Sequence, residues 1–210
     1  MIHFDIPGFQ YPSSPNTPPI LEKQSLLLKK GKWTALIGRS GSGKSTLLRL
    51  LAGYFDTIDA HFDIALLSQE AALFPWLSLT KNIGIGDLIQ GHSIQQEKVQ
   101  NLLALVGLEK DAHKKPAEIS YGMQRRILLA RTLYLDRPII FLDEPFSAVD
   151  PKTRENLYKN AKKWLHGRTV LFTTHQWDEA KTLGDTIYEL QGSPGVLVKL
   201  ERAPKMKERN

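Results

Sequence analysis

An early glycine-rich run has the residue types and the spacing of a phosphate-binding loop. Residues 38–45 read Gly-Arg-Ser-Gly-Ser-Gly-Lys-Ser and match the pattern G-x-x-x-x-G-K-[ST]. The glycines let successive backbone N–H groups curl around phosphate oxygens, and a helix that begins there adds its positive end. Lys44 is expected to reach the β and γ phosphates, and Ser45 to offer its oxygen to Mg²⁺. The predicted nucleotide contacts in this run are Gly38, Arg39, Ser40, Gly41, Ser42, Gly43, Lys44, Ser45 and Thr46.

Two adjacent acids follow a short apolar run later in the chain. Residues 139–142 are all apolar, and Asp143 and Glu144 come directly after them. The first carboxylate can hold the Mg²⁺ coordination shell, and the second can orient and deprotonate the water that attacks a γ phosphate. An ordinary acidic turn after a strand is the alternative interpretation of these residues alone. The phosphate loop upstream favours catalysis.

The segments that must position these residues alternate between apolar runs and helical patterns. Strands are predicted at 33–37, 64–67, 139–142 and 170–172, and helices at 45–51, 99–106, 123–135 and 154–165. Strands that alternate with helices indicate a mostly parallel sheet covered on both faces. Residues from about 70 to 135 contain no convincing strand, so we expect a helical lobe inserted into the sheet domain.

Composition limits the classes of protein to which the chain can belong. At 210 residues one domain is the default, and the absence of cysteine excludes disulfides, thiolate metal sites and cysteine nucleophiles while allowing a reducing cytosolic location. Charged residues and a proline interrupt the apolar stretch 127–142, so we expect no membrane-spanning helix. Residues 1–19 contain prolines at five positions, 7, 12, 15, 18 and 19, and resemble neither a secretory signal nor a targeting helix.

The positive charge of the chain fits several kinds of partner. The formal net charge is +6, which suits a polyphosphate, an anionic lipid surface or a nucleic acid. Acidic residues are scattered among the lysines, and no stripe of aromatic and basic residues suited to stacking bases is present. We therefore expect most lysines to form a solvated surface, with no direct binding of nucleic acid.

With both motifs in place, the order of segments resembles that of ABC-transporter ATPases over nearly the whole chain. The resemblance implies an α/β fold of the P-loop NTPase type, with a RecA-like, mostly parallel sheet, flanking helices and an inserted helical subdomain. Because the segment 53–69 is shorter than usual in the family, we expect a reduced antiparallel edge sheet. One domain is expected over 1–210, with a sheet lobe in about 1–69 and 136–198, a helical lobe in about 70–135 and a charged tail in 199–210.

The resemblance assigns roles to residues outside the two motifs. Tyr11 is similar to an aromatic residue that stacks on adenine, although a tyrosine that packs on the sheet edge is an open alternative. Gln69 resembles the Q-loop glutamine, which approaches Mg²⁺ and the attacking water. His175 resembles the switch histidine, which contacts the γ phosphate. The implied catalytic residues are Glu144, His175, Gln69 and Lys44, and the implied Mg²⁺ ligands are Ser45, Gln69 and Asp143.

A second loop that opens a helix resembles the signature sequence of the family. Residues 119–126 read Ile-Ser-Tyr-Gly-Met-Gln-Arg-Arg. In the family this loop caps the γ phosphate bound to the opposite subunit, which implies contacts from Ser120 and Gly122. Residues 147–150 resemble the D-loop, which crosses the dimer interface. Tyr121 replaces the first signature glycine, and we expect the loop still to function; taken alone, Ser-x-Gly before a helix is usually an N-terminal cap.

The function implied by the resemblance is that of a transporter motor. The chain would bind and hydrolyse ATP with Mg²⁺, close a head-to-tail dimer around two ATP molecules and thereby power solute transport. The implied partners are a second copy of the chain, a transmembrane permease and an external solute-binding protein. The implied location is the cytoplasmic face of the cell membrane, where the permease holds the subunit. A soluble ABC ATPase acting on DNA or the ribosome, and a regulatory module without turnover, are the alternatives.

A stretch after the Q-loop bears on the subfamily and on the permease. Residues 73–80 are similar to the Pro-Trp-Leu stretch of importers for nitrate, sulfonate, taurine and pyrimidine precursors, which favours import. Phe74, Pro75 and Trp76 are expected to form an apolar patch that receives a short cytoplasmic helix of the permease. The alternative places Trp76 inside the helical lobe.

Overall fold

The computed structural model describes residues 1–12, 17–55 and 62–200. The strands are β1 Ile2–Phe9, β2 Leu21–Leu28, β3 Trp33–Ile37, β4 Ile64–Leu67, β5 Ile139–Leu142, β6 Thr169–Thr174, β7 Thr186–Gln191 and β8 Val196–Leu200. The α-helices are α1 Lys44–Leu51, α2 Leu79–Ile83, α3 Ile85–Ile89, α4 Gln96–Val106, α5 Tyr121–Tyr134, α6 Pro151–Trp164 and α7 Trp177–Leu183. Short 3-10 turns lie at Glu109–Asp111 and Pro116–Glu118.

The main sheet has six strands in the order β4-β5-β6-β3-β7-β8. The first five run parallel, and β8 pairs antiparallel with β7 at the edge. Every residue of β3, β5 and β6 is buried, because helices or a second sheet cover both faces. The predicted α/β fold with a mostly parallel sheet is therefore confirmed.

Successive side chains of each central strand enter two different apolar clusters. Ala35 and Phe172 point to the face covered by α4, α5, α6 and α7. Leu36 and Leu171 point to the opposite face, where β1, β2 and α1 pack. Full burial of one such large apolar side chain contributes about 2 kcal/mol. This packing on both faces holds the strands, and so the loops that follow them, in fixed positions.

The small antiparallel sheet pairs β1 with β2, as expected for a reduced edge sheet. Its first strand alternates strictly at the start, with Ile2, Phe4 and Ile6 buried and His3 and Asp5 exposed. This two-residue period was readable in the sequence, yet we predicted no strand there. Residues 56–61, part of the shortened segment, lie outside the described residues.

Between β4 and β5 the regular elements are all helical. They lie within residues 70–135, the range predicted for the helical lobe. The tail predicted for 199–210 needs a correction, because Lys199 and Leu200 belong to β8 and Leu200 pairs with Ile187. Residues 201–210 lie outside the described residues. Among the helices of the described part of the chain, none combines the length and the apolar composition needed to cross a membrane.

Candidate nucleotide site

The candidate site lies at the edge of the sheet where parallel strands end. A cavity of about 350 Å³ opens there, lined by residues 40–46 of the phosphate loop, by Gln69 after β4 and by Glu144 after β5. Its other wall consists of Pro18, Pro19, Ile20, Gly192 and Ser193. Parallel strands present their carboxyl ends at one edge, so segments far apart in sequence meet there.

The phosphate loop has the conformation that an anion site requires. Gly41 and Gly43 have φ angles of 78° and 95°, a left-handed region that glycine tolerates best. A Cβ on Gly43 would lie 2.9 Å from Ile20 Cγ2, so the site also needs a small residue there. The Ser42 hydroxyl is buried and has no hydrogen-bond partner in the described part of the chain. An unpaired buried donor in this loop fits a phosphate oxygen as its missing partner.

Lys44 is held in the mouth of the loop. Its Nζ donates to the carbonyls of Gly38 and Arg39, at 2.9 Å in each case. Burial lowers the pKa of Lys44, and the charges of Glu144 and Asp143 act in the opposite direction. Gly38 and Arg39 thus position this amine but do not line the cavity.

One threonine hydroxyl binds both members of the acid pair. Thr173 Oγ1 donates to Asp143 Oδ1 at 2.6 Å and accepts from the backbone N–H of Glu144 at 2.9 Å. Glu144 has a φ of 47°, a left-handed conformation that costs a non-glycine residue about 1–2 kcal/mol. The hydrogen bond to Thr173 helps to hold that strained turn. His175 Nδ1 lies 3.6 Å from Glu144 Oε1, so the structure brings this predicted pair together.

A buried arginine connects the helix after the signature loop to the site. Arg125 Nη1 donates to the carbonyl of Gln69 at 3.0 Å, and its Nη2 donates to the carbonyl of Asp143 at 3.4 Å. Sequence reasoning assigned no role to Arg125 or to Thr173. The only signal was their position, one in the signature helix and the other at the end of a buried strand.

Tyr11 does not line the cavity. Its hydroxyl lies 3.0 Å from Thr46 Oγ1, and its ring makes edge contacts with Phe9 and Phe55 at centroid distances of 5.1 and 5.9 Å. The open alternative, packing at the sheet edge, describes this arrangement, and stacking on adenine stays a prediction. The wall formed by residues 18–20 and 192–193 was not predicted.

The signature loop lies apart from the cavity of its own chain. Ser120 Oγ accepts from the N–H of Met123 at 3.3 Å and caps α5. Tyr121 is 66% exposed, so its side chain has room. Gly122 has none, because a Cβ there would lie 2.6 Å from the carbonyl oxygen of Ala148 in the D-loop. Of positions 121 and 122, only 122 has no room for a side chain, and the sequence has glycine there.

Comparison with known proteins identifies the family to which the chain belongs. Residues 21–147 match the family model described as ABC transporter. The chain belongs to this family. It is 38% identical over 200 residues to an aliphatic sulfonates import ATP-binding protein, SsuB 1 of Xanthomonas axonopodis pv. citri, with 87% of this chain and 79% of that protein covered.

Further similarity extends to other family members. The chain is 34% identical to the taurine import ATP-binding protein TauB of Jannaschia sp., with 88% of this chain and 75% of that protein covered. The dimeric post-hydrolysis structure of the ATP-binding cassette MJ0796 bound to ADP and Pi is 25% identical. It has a TM-score of 0.81 and covers 95% of this chain and 99% of that one. The recognised family and the predicted fold are confirmed.

Replacement of Thr173 tests its hold on the acid pair. Thr173→Val keeps the side-chain shape but leaves Asp143 and the Glu144 N–H without their partner. We expect kcat for phosphate release from ATP to fall about tenfold or more, since losing a buried hydrogen bond to a charged group costs roughly 1.5–3 kcal/mol. Thr173→Ser, which retains the hydroxyl, is the matched control and should stay close to wild type. An unchanged kcat in Thr173→Val would contradict the role.

Proposed function

We propose that this chain is the ATP-binding and ATP-hydrolysing subunit of an ABC transporter that imports a solute. The observation that carries the proposal is the meeting of the phosphate loop, the acid pair and His175 at one edge of the sheet. Import is proposed because the relatives named above are import subunits. The alternatives of a soluble ATPase and a regulatory module have no observation in their favour.

The roles of the residues follow from their positions. The backbone N–H groups of residues 40–45, the Ser42 hydroxyl and Lys44 bind the phosphates of ATP. Glu144 lines the cavity and accepts a proton from the water that attacks the γ phosphate. His175, beside Glu144, contacts the γ phosphate and stabilises the charge that develops on it. The aliphatic residues 18–20 line the same cavity and are proposed to contact the base.

The proposed metal is Mg²⁺, and the donors present fit it. Ser45, Gln69 and Asp143 offer oxygen atoms, which Mg²⁺ prefers. The described residues contain no group of three or more His, Cys, Asp or Glu that could hold a metal ion by itself. That agrees with an ion that is held by one or two carboxylates together with phosphate oxygens and water. When bound, Mg²⁺ would neutralise charge on the phosphates.

Two substitutions separate binding from hydrolysis. Lys44→Ala removes the amine that faces the phosphates, so ATP binding or turnover should be lost. Glu144→Gln keeps the shape but removes the base, so ATP should still bind while phosphate release falls by about 100-fold or more. Titration with a fluorescent ATP analogue and a phosphate-release assay measure the two effects. Wild-type turnover in Glu144→Gln would refute the assignment of the general base.

The second half of the site is proposed to come from another copy of the chain. Ser120 and Gly122 lie outside the cavity of their own chain, and Ser120 at the start of α5 offers a second helix N-terminus to an anion. The similar cassette MJ0796 forms a dimer in its ADP- and Pi-bound structure. In a head-to-tail dimer with twofold symmetry, each signature loop would close over the nucleotide of its partner.

Mixing two inactive variants tests this composite site. Ser120→Asp keeps a good N-cap but places a carboxylate against the γ phosphate of the partner. Alone, Ser120→Asp and Lys44→Ala should each be inactive. An equal mixture should regain about one quarter of wild-type phosphate release, because half of the dimers then contain one intact site. A mixture as inactive as its components would show that each chain completes its own site.

We propose that the permease binds at the segment after Gln69. Trp76 is 68% exposed, so the alternative that it packs inside the helical lobe is wrong. Its ring lies 5.6 Å from that of Phe74. Asn82 holds this segment, since the two hydrogens of its Nδ2 are shared among the carbonyls of Phe74, Leu77 and Ser78, each 3.1 Å away. An exposed tryptophan beside the partly buried ring of Phe74, on a segment held by hydrogen bonds, suits an amphipathic helix. This contact would place the chain at the cytoplasmic face of the membrane, with an external solute-binding protein completing the system.

A charge at the patch tests the permease contact. Trp76→Glu should reduce, by about tenfold or more, the stimulation of phosphate release by membranes that contain the permease, because losing a central aromatic anchor typically costs 2 kcal/mol or more. Tyr54→Glu is the control, since Tyr54 is a similarly exposed aromatic residue outside the patch. Equal stimulation of Trp76→Glu and wild type would contradict the proposed surface.

A further inference from the structure

Arg154, in the first turn of α6, bonds two segments that flank the catalytic carboxylate. Its Nε and Nη2 donate to the carbonyl of Val149 in the D-loop, at 3.2 and 2.7 Å. Its Nη1 donates to Oε1 of Gln176 at 2.7 Å. Gln176 follows His175 directly and is the N-cap residue of α7. One guanidinium therefore fixes the distance between the D-loop and the switch segment, residues 173–176.

Two further side chains, Glu179 and Tyr158, lie near this guanidinium. Glu179 in α7 is 4% exposed, and the nearby hydroxyls of Tyr158 and Thr174 favour its ionised form. Tyr158 in α6 is partly buried and lies near both Glu179 and Arg154. When Tyr158 donates its hydroxyl hydrogen to an ionised Glu179, the lone pairs of that oxygen are free to face Arg154. The Tyr158 ring also packs edge-on against Phe146, two residues after Glu144, at 4.9 Å.

We propose that Arg154, Tyr158 and Glu179 form a positioning relay for hydrolysis, which holds the switch segment and the D-loop in register and keeps His175 beside Glu144. The inference rests on the proposed function, because it assumes that Glu144 acts on ATP. None of the three residues lines the nucleotide cavity. Their effect on the reaction passes through Val149, Gln176 and Thr174.

Glu179 gives the relay a pH dependence. Burial raises the pKa of Glu179 to about 6, against the opposing effects of its hydrogen bonds to Tyr158 and Thr174 and the charges of Arg154 and His175. The carboxyl is therefore ionised above about pH 6, where it can accept from Tyr158, and neutral below. Glu144 and His175 line the same small recess as Glu179, and Tyr158 and Arg154 act on its carboxyl from α6.

The effect of Glu179→Gln on kcat should depend on pH. A neutral glutamine resembles the protonated acid, so the relay is weakened at all pH values in the variant and only below about pH 6 in wild type. We expect kcat for phosphate release about tenfold below wild type at pH 7.5, with the two values converging toward pH 5.5. KM for ATP should stay within about twofold. The ratio of the two kcat values at each pH measures the contribution of Glu179.

A constant kcat ratio from pH 5.5 to 7.5, or an effect on KM alone, would overturn the proposal. Thermal unfolding verifies the fold of the variant. Folding raises the pKa of Glu179, so the protonated side chain favours the folded state. Its contribution to the free energy of unfolding is therefore largest below the unfolded pKa and is lost as pH rises through about 6. The Tm of Glu179→Gln relative to wild type should therefore rise between pH 5 and pH 7.

Further variants keep the test decisive if glutamine disturbs packing. Tyr158→Phe removes only a hydroxyl and retains the ring contact with Phe146, and it should lower kcat in the same way. Arg154→Lys keeps the charge but lacks the planar guanidinium that reaches Val149 and Gln176 together. Its kcat should therefore also fall below that of wild type. Glu155→Gln, on the exposed face of the same helix, should match wild type.

Glu144→Gln separates the two proposals. If it hydrolyses ATP normally, the proposed function fails. If it is inactive while Arg154→Lys, Tyr158→Phe and Glu179→Gln all behave as wild type, only the relay fails.

Discussion

The site depends on the parallel alignment of β3, β4, β5, β6 and β7, whose carboxyl ends share one edge of the sheet. Each strand delivers a different group there: the phosphate loop, Gln69, the acid pair, His175 and the turn at 192–193. Because the central strands β3, β5 and β6 are buried on both faces, the relative positions of the strands are set by packing. An active site made of loops thereby obtains the rigidity of a core.

Buried polar side chains fix the loop positions that apolar packing alone does not determine. Thr173 binds both acids through one oxygen, and Arg125 binds the backbone at both Gln69 and Asp143. Both side chains are buried, where an unpaired polar group is costly. Each group is therefore confined to the geometry that satisfies its partners, and this confinement extends to the strained turn at Glu144.

The sequence predicted β3, β4, β5 and β6 within one or two residues, because each contains an unbroken apolar run. It missed β1, β2, β7 and β8, in which polar residues interrupt the apolar ones. The acid pair was found because it follows such a run directly, and His175 was found because it resembles the switch histidine of the family. Thr173 and Arg125 were missed because their roles arise from strand register and from a helix crossing, neither of which a local pattern encodes. Tyr121 attracted attention as a departure from the family, whereas the constrained position is its neighbour Gly122.

At this edge of the sheet, Glu179 lowers the stability of the fold and, in the proposed relay, supports hydrolysis. A buried carboxylate without a direct ion pair is disfavoured in the folded state, and the raised pKa of Glu179 expresses that cost. A glutamine or an apolar residue would be easier to bury at neutral pH. The charged form is the one that orients Tyr158 toward Arg154, and Arg154 bonds both the D-loop and the switch segment. The same region contains Glu144 in its left-handed conformation, and Glu144, His175 and Glu179 line one recess, so two unfavourable features lie beside the contact between Glu144 and His175.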